Sequence, residues 1–432
     1  MERFRRRFRG PPGSGRDALP RTLYFKLSAM MFLQYAIPAC INPIMSLYLM
    51  NNLGFPPGQT GQILAVVAIG AIVAPFLATY VVDRFISARI LLAACHGLAG
   101  AVIGVLSASR AFWPVYVLYF VYGLLFLPTH GLSNTVVLHR IRDARRDFGS
   151  IRMWGTAGWV FIAWTFGLFW LKGAPPGEAD PRLVDALRLC ALLHLALAVY
   201  SLFLPREERA QDAPISLMPW EAFRVFARPS VMVLCIATLC TSAIHQHYYF
   251  GMAPFLKSLG AAENHIMPLM SIGQVAEVLM LGLLGRALVR LGTKRVLIIA
   301  LAAQAARFTV FSIGSPFPLV VAVITAHGFC YAFFFTASYI YIDEHSSREA
   351  RAGAQQLFTI LIMGVGYFLG HVTAGRLGEW SLDPVTEAIR FRQYWAVPAV
   401  SAVVIALFLL VAFRAETPEL NEVPDSAAAL ES

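Results

Sequence analysis

Long apolar runs separated by short polar connections set the pattern of this chain. They fall near 25–49, 60–82, 90–108, 113–137, 150–172 and 184–204, then, after a break, near 230–253, 266–288, 296–314, 317–341, 354–375 and 394–413. A hydrocarbon core about 30 Å thick is crossed by about 20 helical residues. Stretches such as "MWGTAGWVFIAWTFGLFWL" (153–171) reach about that length without a charge. The apolar–polar alternation of barrel strands is missing. The pattern predicts an all-α integral membrane protein with twelve transmembrane helices in two groups of six. Between the groups lies "PREERAQDAPISLMPWEAFRVFARPS" (205–230), the longest charged connection. Within it, "MPWEAFRVFA" has the make-up of a short amphipathic surface helix. The expected divisions are a tail (1–22), a first six-helix half (23–204), a central loop (205–229), a second half (230–414) and a closing tail (415–432).

Composition agrees. Of 432 residues, 58% are hydrophobic and 14% charged, against about 45–50% and about 25% in soluble domains. The net charge of +10 would suit nucleic acid, but its placement does not. Cations crowd into "MERFRRRFRG" and into the connections after even-numbered segments: Arg84 and Arg89, "HRIRDARRDFG", the central break, Arg290 with Lys294 and Arg295, and "SSREAR". "NNLGFPPGQ" and "GSPFP", on the other side, have none. This asymmetry places both termini in the cytoplasm. The polar stretch from Pro11 to Arg21 separates "RRRF" from the first apolar run, so the start reads as a cytoplasmic tail near anionic lipid, not an export signal. The six cysteines all lie in apolar segments and none forms a CxxC pair, so they read as small buried hydrophobes, with no disulfide framework and no zinc site.

An internal repeat supports the division. "VDRFISARIL" (82–91) and "VRLGTKRVL" (289–297) each follow the second segment of their group, setting Asp83 opposite Val289 and Arg84 opposite Arg290. Two six-helix halves related by an axis along the membrane normal are the architecture of the major facilitator superfamily. Asp83, Arg84 and Arg290 are candidates for a cytoplasmic gate, although such loops also serve as plain anchors.

The candidate chemistry is a set of polar residues placed in oil. Gln274 and Glu277 sit in "SIGQVAEVLM", three apart and so on one helix face. A carboxylate at the bilayer centre costs about 2.5 kcal/mol or more, so it turns to a partner or a wet cavity. Glu277 would exchange a proton as its surroundings alternate, or stay ionised and accept from a substrate hydroxyl. A hydrogen bond joining two helices is the plainer alternative. Arg152 and Thr156 share a face in "FGSIRMWGTAGW", with Arg152 either snorkelling to headgroups or turned into a cavity. "SAIHQHYYFG" (242–251) offers His245, Gln246, His247 and Tyr248; "AHGFCYAFFFTASYIYID" (326–343) offers His327 and Tyr331, one turn apart. These suit stacking and hydrogen bonding to a small polar solute better than a metal ion, because no cysteine or nearby carboxylate completes a ligand set. Gly366 and Gly370, four apart, form a close-packing face. No P-loop, nucleophile elbow or zinc helix is present, which removes the usual marks of ATP-driven transport and of an enzyme. No cofactor is implied.

In "IRMWGTAGW", "PTHGLSNT", "SIGQVAEVLM", "RFTVFSIG" and "RAGAQQLF", in that order, the chain resembles the bacterial nucleoside:proton symporters of the major facilitator superfamily, from Leu23 to Phe413. The resemblance implies a proton-coupled nucleoside transporter of the bacterial cytoplasmic membrane. Its partners are a nucleoside-like solute, protons and lipids, and a monomer is favoured. It carries nucleoside contacts to Arg152 and Thr156 on the fifth helix and to Gln274 and Glu277 on the eighth. On the seventh, the family's glutamine and asparagine correspond to His245 and Tyr248. On the tenth, an aromatic–aspartate pair becomes Tyr331 and Ala332. With that aspartate replaced, proton coupling is expected at Glu277 or His327. Rival readings keep the fold with a sugar, organic acid or drug as cargo, or make the protein a receptor that binds solute without moving it.

Overall fold

The computed structural model describes residues 19–416 apart from 85, 142–143, 174–179, 206–219 and 348, with the side chains of 74–84, 144–146 and 220–221 also outside the description. Among the described residues there are twelve long helices: α1 (Arg21–Ile41, resuming at 45–52), α2 (Pro57–Arg84), α3 (Ala88–Ala108), α4 (Phe112–Leu138), α5 (Ala144–Thr165, running on to Trp170), α6 (Leu183–Leu202), α7 (Pro229–Ser258), α8 (Glu263–Leu291), α9 (Thr293–Ile313), α10 (Phe317–Glu344), α11 (Arg351–Trp380) and α12 (Phe391–Ala412). Ten are long and apolar enough to span a bilayer, and α2 is apolar over Pro57–Val73. The first apolar run is not one straight helix, because a turn at 42–44 follows Pro38. The positive φ of Gly314 (72°) stops α9. A short helix, Trp220–Phe226, falls inside the predicted amphipathic stretch. It buries Ala222 and Val225, three apart, and exposes Phe223 and Arg224.

Helix partnerships repeat after six helices. α1 packs along α5, α2 along α4 and α3 along α6; likewise α7 packs along α11, α8 along α10 and α9 along α12. The two halves meet through α2 against α11 and α5 against α8. Shifting by six helices exchanges these two seams. This is the major facilitator architecture, two parallel six-helix repeats.

Small residues make the seams tight. A Cβ on Gly61 would come within 2.6 Å of the His371 carbonyl oxygen and 2.7 Å of the Gly375 Cα. One on Gly167 would meet the Asn264 carbonyl at 2.9 Å. Both contacts lie toward the end where α1 joins α2 and α7 joins α8. Hydrogen bonds close the same end. The Gly58 amide donates to Glu379 Oε1 (3.1 Å), and the Asp180 amide donates to buried Glu263 Oε2 (2.8 Å). Asn52 Nδ2 donates to the Asp180 carbonyl (3.0 Å), while Lys257 pairs with Glu263. The Gly366/Gly370 face packs as expected: α7 presents the Ser242 hydroxyl and the Ala243 carbonyl to it.

One expectation needs amendment. Cys40, Cys95, Cys190 and Cys330 are buried, but Cys240 is exposed and Cys235 only half-buried, because one side of α7 looks outward. Of the proposed gate, Arg290 is exposed at the end of α8, and the side chains of Asp83 and Arg84 lie outside the described residues. The described bonds between the halves are at the opposite end.

Gly61→Leu would force its branched side chain against backbone and wedge this end open. The distance between spin labels on α2 and α11 at the Gly58–Glu379 level should lengthen relative to the parent; an unchanged distance would show that the seam does not depend on close approach.

Candidate functional site

A cavity of about 630 Å³ lies between the halves. Residues of both line it, including Tyr35, Tyr122, His130, Arg152 and Thr156 from the first and Gln246, Tyr249, Gln274, Glu277, His327 and Tyr331 from the second.

On the first side, two glycines bring α5 against α1. A Cβ on Gly158 would lie 2.2 Å from the Phe32 carbonyl oxygen; one on Gly155 would lie 2.6 Å from the Tyr35 ring and 2.8 Å from Arg152 Nη1. This approach lays the Arg152 guanidinium over the Tyr35 ring, 3.7 Å from its centroid. The cation–π contact keeps the arginine inside the cavity, where it stands within Coulombic reach of Glu277. Thr156, one turn on, lines the same wall.

On the second side, α8 and α10 touch backbone to backbone. A Cβ on Gly328 would fall 2.5 Å from the Ala276 carbonyl carbon and 2.7 Å from the Glu277 amide nitrogen, and one on Gly273 would meet the His327 side chain at 3.0 Å. Gln274, Glu277, His327 and Tyr331 are thereby gathered onto one wall. Gln274 Oε1 is buried without a hydrogen-bond partner, an acceptor turned toward whatever fills the space. Around Tyr331, α10 widens into π-helical turns (Phe329–Thr336), and α11 does the same at Ile360–Gly366. Such turns recur at functional positions.

His245 and Tyr248 do not line the cavity. The α7 residues that do are Gln246 and Tyr249, at the same spacing but one position on. One residue turns a helix by about 100°, and that rotation carries His245 and Tyr248 into the interior of the second half. There His245 packs on His327 (ring centroids 4.9 Å apart), and Tyr248 lies beneath the guanidinium of fully buried Arg307 (4.9 Å).

Arg307 was not among the predicted site residues, although it begins "RFTVFSIG". Its Nη1 lies 3.2 Å from His327 Nδ1. Arginine only donates, so Nδ1 accepts and the His327 proton sits on Nε2. A second proton on this ring would set donor against donor and cation against cation. Tyr339 and Thr359 share a hydrogen bond (3.1 Å) at the cavity's edge. His371 and Tyr367 on α11 line the wall as well and gave no motif-level signal.

The sequence model of the family described as Nucleoside H+ symporter matches residues 21–418. Nucleoside permease NupG of Escherichia coli is 24% identical over 413 residues, covering 91% of this chain and 96% of NupG. Xanthosine permease of the same organism is 25% identical over 420 residues, covering 91% and 96%. A crystal structure of NupG superposes with a TM-score of 0.81 at 25% identity, covering 91% of this chain and all of that one.

Gly328→Val should destabilise the fold by about 2 kcal/mol through overpacking at the α8–α10 contact. A lowered unfolding temperature in detergent checks this; an unaltered one would mean that α8 and α10 can part without loss.

Proposed function

The chain belongs to the nucleoside H+ symporter family, and from that premise we propose that the cavity takes a nucleoside between Arg152 and Glu277 and carries it inward with a proton by alternating access. The supporting observation is the pairing of a guanidinium and a carboxylate on facing walls of one space of suitable size, with aromatic rings around it. The fork of Arg152 donates to base or sugar oxygens; Glu277 and Gln274 accept from ribose hydroxyls or exocyclic amines. Tyr35, Tyr249 and Tyr331 offer rings for base stacking. Both walls are tied to helices that cross the seam, so rocking of one half against the other exposes the site alternately.

Loop cations put both termini in the cytoplasm, and the chain is a multi-pass protein of the inner membrane. On that orientation the closed end, sealed by Gly58–Glu379 and Asp180–Glu263, faces outward. His245 and Tyr248 then shape the wall from behind, through His327, and do not touch cargo. His327 is a fixed neutral donor because Arg307 occupies its Nδ1, so the proton role falls to Glu277. Protonated, Glu277 is free of Arg152; ionised, it is drawn to it. Substrate and proton thus compete for, or jointly satisfy, the same charges, which couples them.

Uptake of labelled uridine and adenosine into proteoliposomes tests the reading. Accumulation should need an inward proton gradient and collapse with a protonophore; uptake indifferent to the protonophore, or none at all, would refute it. Glu277→Gln should abolish gradient-driven accumulation while counterflow persists, because exchange needs no net proton movement; normal accumulation would remove Glu277 from coupling. Arg152→Lys should weaken uridine binding by about tenfold, or ~1.4 kcal/mol, since a point charge cannot replace the fork. Unaltered affinity would return Arg152 to a packing role.

A further inference from the structure

The interior of the first half holds a polar chain that the transport site does not use. His96 on α3 and His194 on α6 are both fully buried, with their Nδ1 atoms 2.8 Å apart. His96 Nε2 lies 3.0 Å from Gln34 Oε1 on α1, and Gln34 Nε2 donates to Thr129 Oγ1 on α4 (2.8 Å). Thr129 in turn donates to the Phe126 carbonyl (2.6 Å). At the other end, His194 Nε2 lies 3.4 Å from the hydroxyl of Tyr122, a residue that lines the cavity.

These contacts fix the direction of every proton. Gln34 gives its amide hydrogens to Thr129, so its oxygen accepts and His96 Nε2 carries a hydrogen. With His96 neutral, its Nδ1 is bare, so His194 donates through its own Nδ1. That leaves His194 Nε2 bare, facing the Tyr122 hydroxyl. The chain has one vacant basic nitrogen, and it lies at the cavity end.

We infer that the His96–His194 pair is a second proton-binding site, loaded from the cavity through Tyr122. The inference rests on the proposed proton-coupled transport, and the pair releases its proton only after Glu277 has released its own, so Glu277→Gln stops both. As Tyr122 passes its hydroxyl proton to His194 Nε2, its oxygen takes one from an acid in the cavity, ultimately hydronium. The net change is one proton moved from cavity to imidazole and an unchanged tyrosine. The added charge is shared by the two imidazoles across the Nδ1–Nδ1 contact, and His96 Nε2 keeps donating to Gln34 Oε1, so no donor is stranded. An amide pair would join these four helices equally well; only imidazoles add the capacity to take a proton. Ionisable chains of this kind within membrane helices mark proton paths.

The groups that face the pair come from every neighbouring helix. On α4, His130 is the nearest further titratable group, with Tyr119 and Tyr122. From α6 comes Cys190, beside the Tyr122 hydroxyl, and from α1 Cys40. On α3, Arg89 is spent on the carbonyls of Leu202 and Leu204 at the helix end. Asp185 and Arg188 pair with each other at the far end of α6. α2 has no titratable residue over Pro57–Val73. Tyr48, in the extension of α1, turns to Arg110 (3.5 Å). Arg152 on α5 lies beyond His130, over Tyr35. Both histidines pack on the ring of Phe126, at 6.4 and 5.4 Å.

The test is coupling stoichiometry, read from the uridine gradient that a fixed pH difference just balances in proteoliposomes at zero membrane potential. With about one pH unit across the membrane, wild-type protein should hold about a hundredfold uridine gradient, and His96→Asn/His194→Gln about a tenfold one, because each coupled proton contributes one factor of its own gradient. A wild-type balance near tenfold, or the same balance in variant and parent, overturns the inference and leaves the proposed function standing. A parent that holds no gradient overturns both. Should the double variant not be recovered as monodisperse protein, His194→Gln alone carries the same expectation, since it removes the vacant nitrogen itself. A purely structural role would lower protein yield without moving the balance point.

Discussion

A polar atom at membrane depth must meet a partner or a wet space, and the inner architecture of this protein follows from how that demand is met. Glu277 and Gln274 meet it at the central cavity. Arg152 meets it through the ring of Tyr35 and the field of Glu277. The histidines of the first half meet it through one another. Arg307 meets it only in part: Nη1 reaches His327, while Nε and Nη2 have no hydrogen-bond partner. Its guanidinium lies near the rings of Tyr248 and Phe308 (4.9 and 4.8 Å). An unsatisfied cation of this kind holds its neighbours in one protonation state, which is why His327 serves as a donor.

Glycine makes the arrangement possible and keeps it movable. Gly158 on α5 and Gly328 on α10 let backbones touch inside each half, and Gly155 and Gly273 let the side chains of Tyr35 and His327 pack onto α5 and α8, so the polar walls are rigid. Gly61, Gly167 and Gly375 do the same between halves, where bonds from Gly58 and Asp180 that water can replace support the contact. Rigid walls joined by a seam that can separate are what alternating access requires. Because the two seams exchange under a six-helix shift, the same kind of contact closes both of them at this end.

Most of the fold was legible because hydrocarbon imposes a length: runs of about 20 apolar residues marked every long helix, including α5 with its arginine. The break in α1 was not legible, since Pro38 alone does not say whether a membrane helix kinks or stops. Arg152, Thr156, Gln274, Glu277, His327 and Tyr331 stood out as polar residues in apolar context, and all line the cavity. On α7 the signal was ambiguous for a physical reason. Polar or aromatic side chains occupy 245 to 249 without a gap, so periodicity could not tell the cavity face from the core, and the register fell one residue short at His245 and Tyr248. Arg307, His96 and His194 were missed because their meaning depends on partners 20 to 98 positions away. Nor could sequence reveal that Gly61 and Gly375 meet.

Proton-coupled nucleoside movement through the Arg152–Glu277 cavity is the central claim, and charge movement tests it most directly. With the protein adsorbed on a solid-supported membrane, a uridine pulse at equal pH on both sides should produce a transient current, as protons enter with the nucleoside. The same pulse should produce none in Glu277→Gln. A uridine-evoked current of full size in that variant would contradict the account.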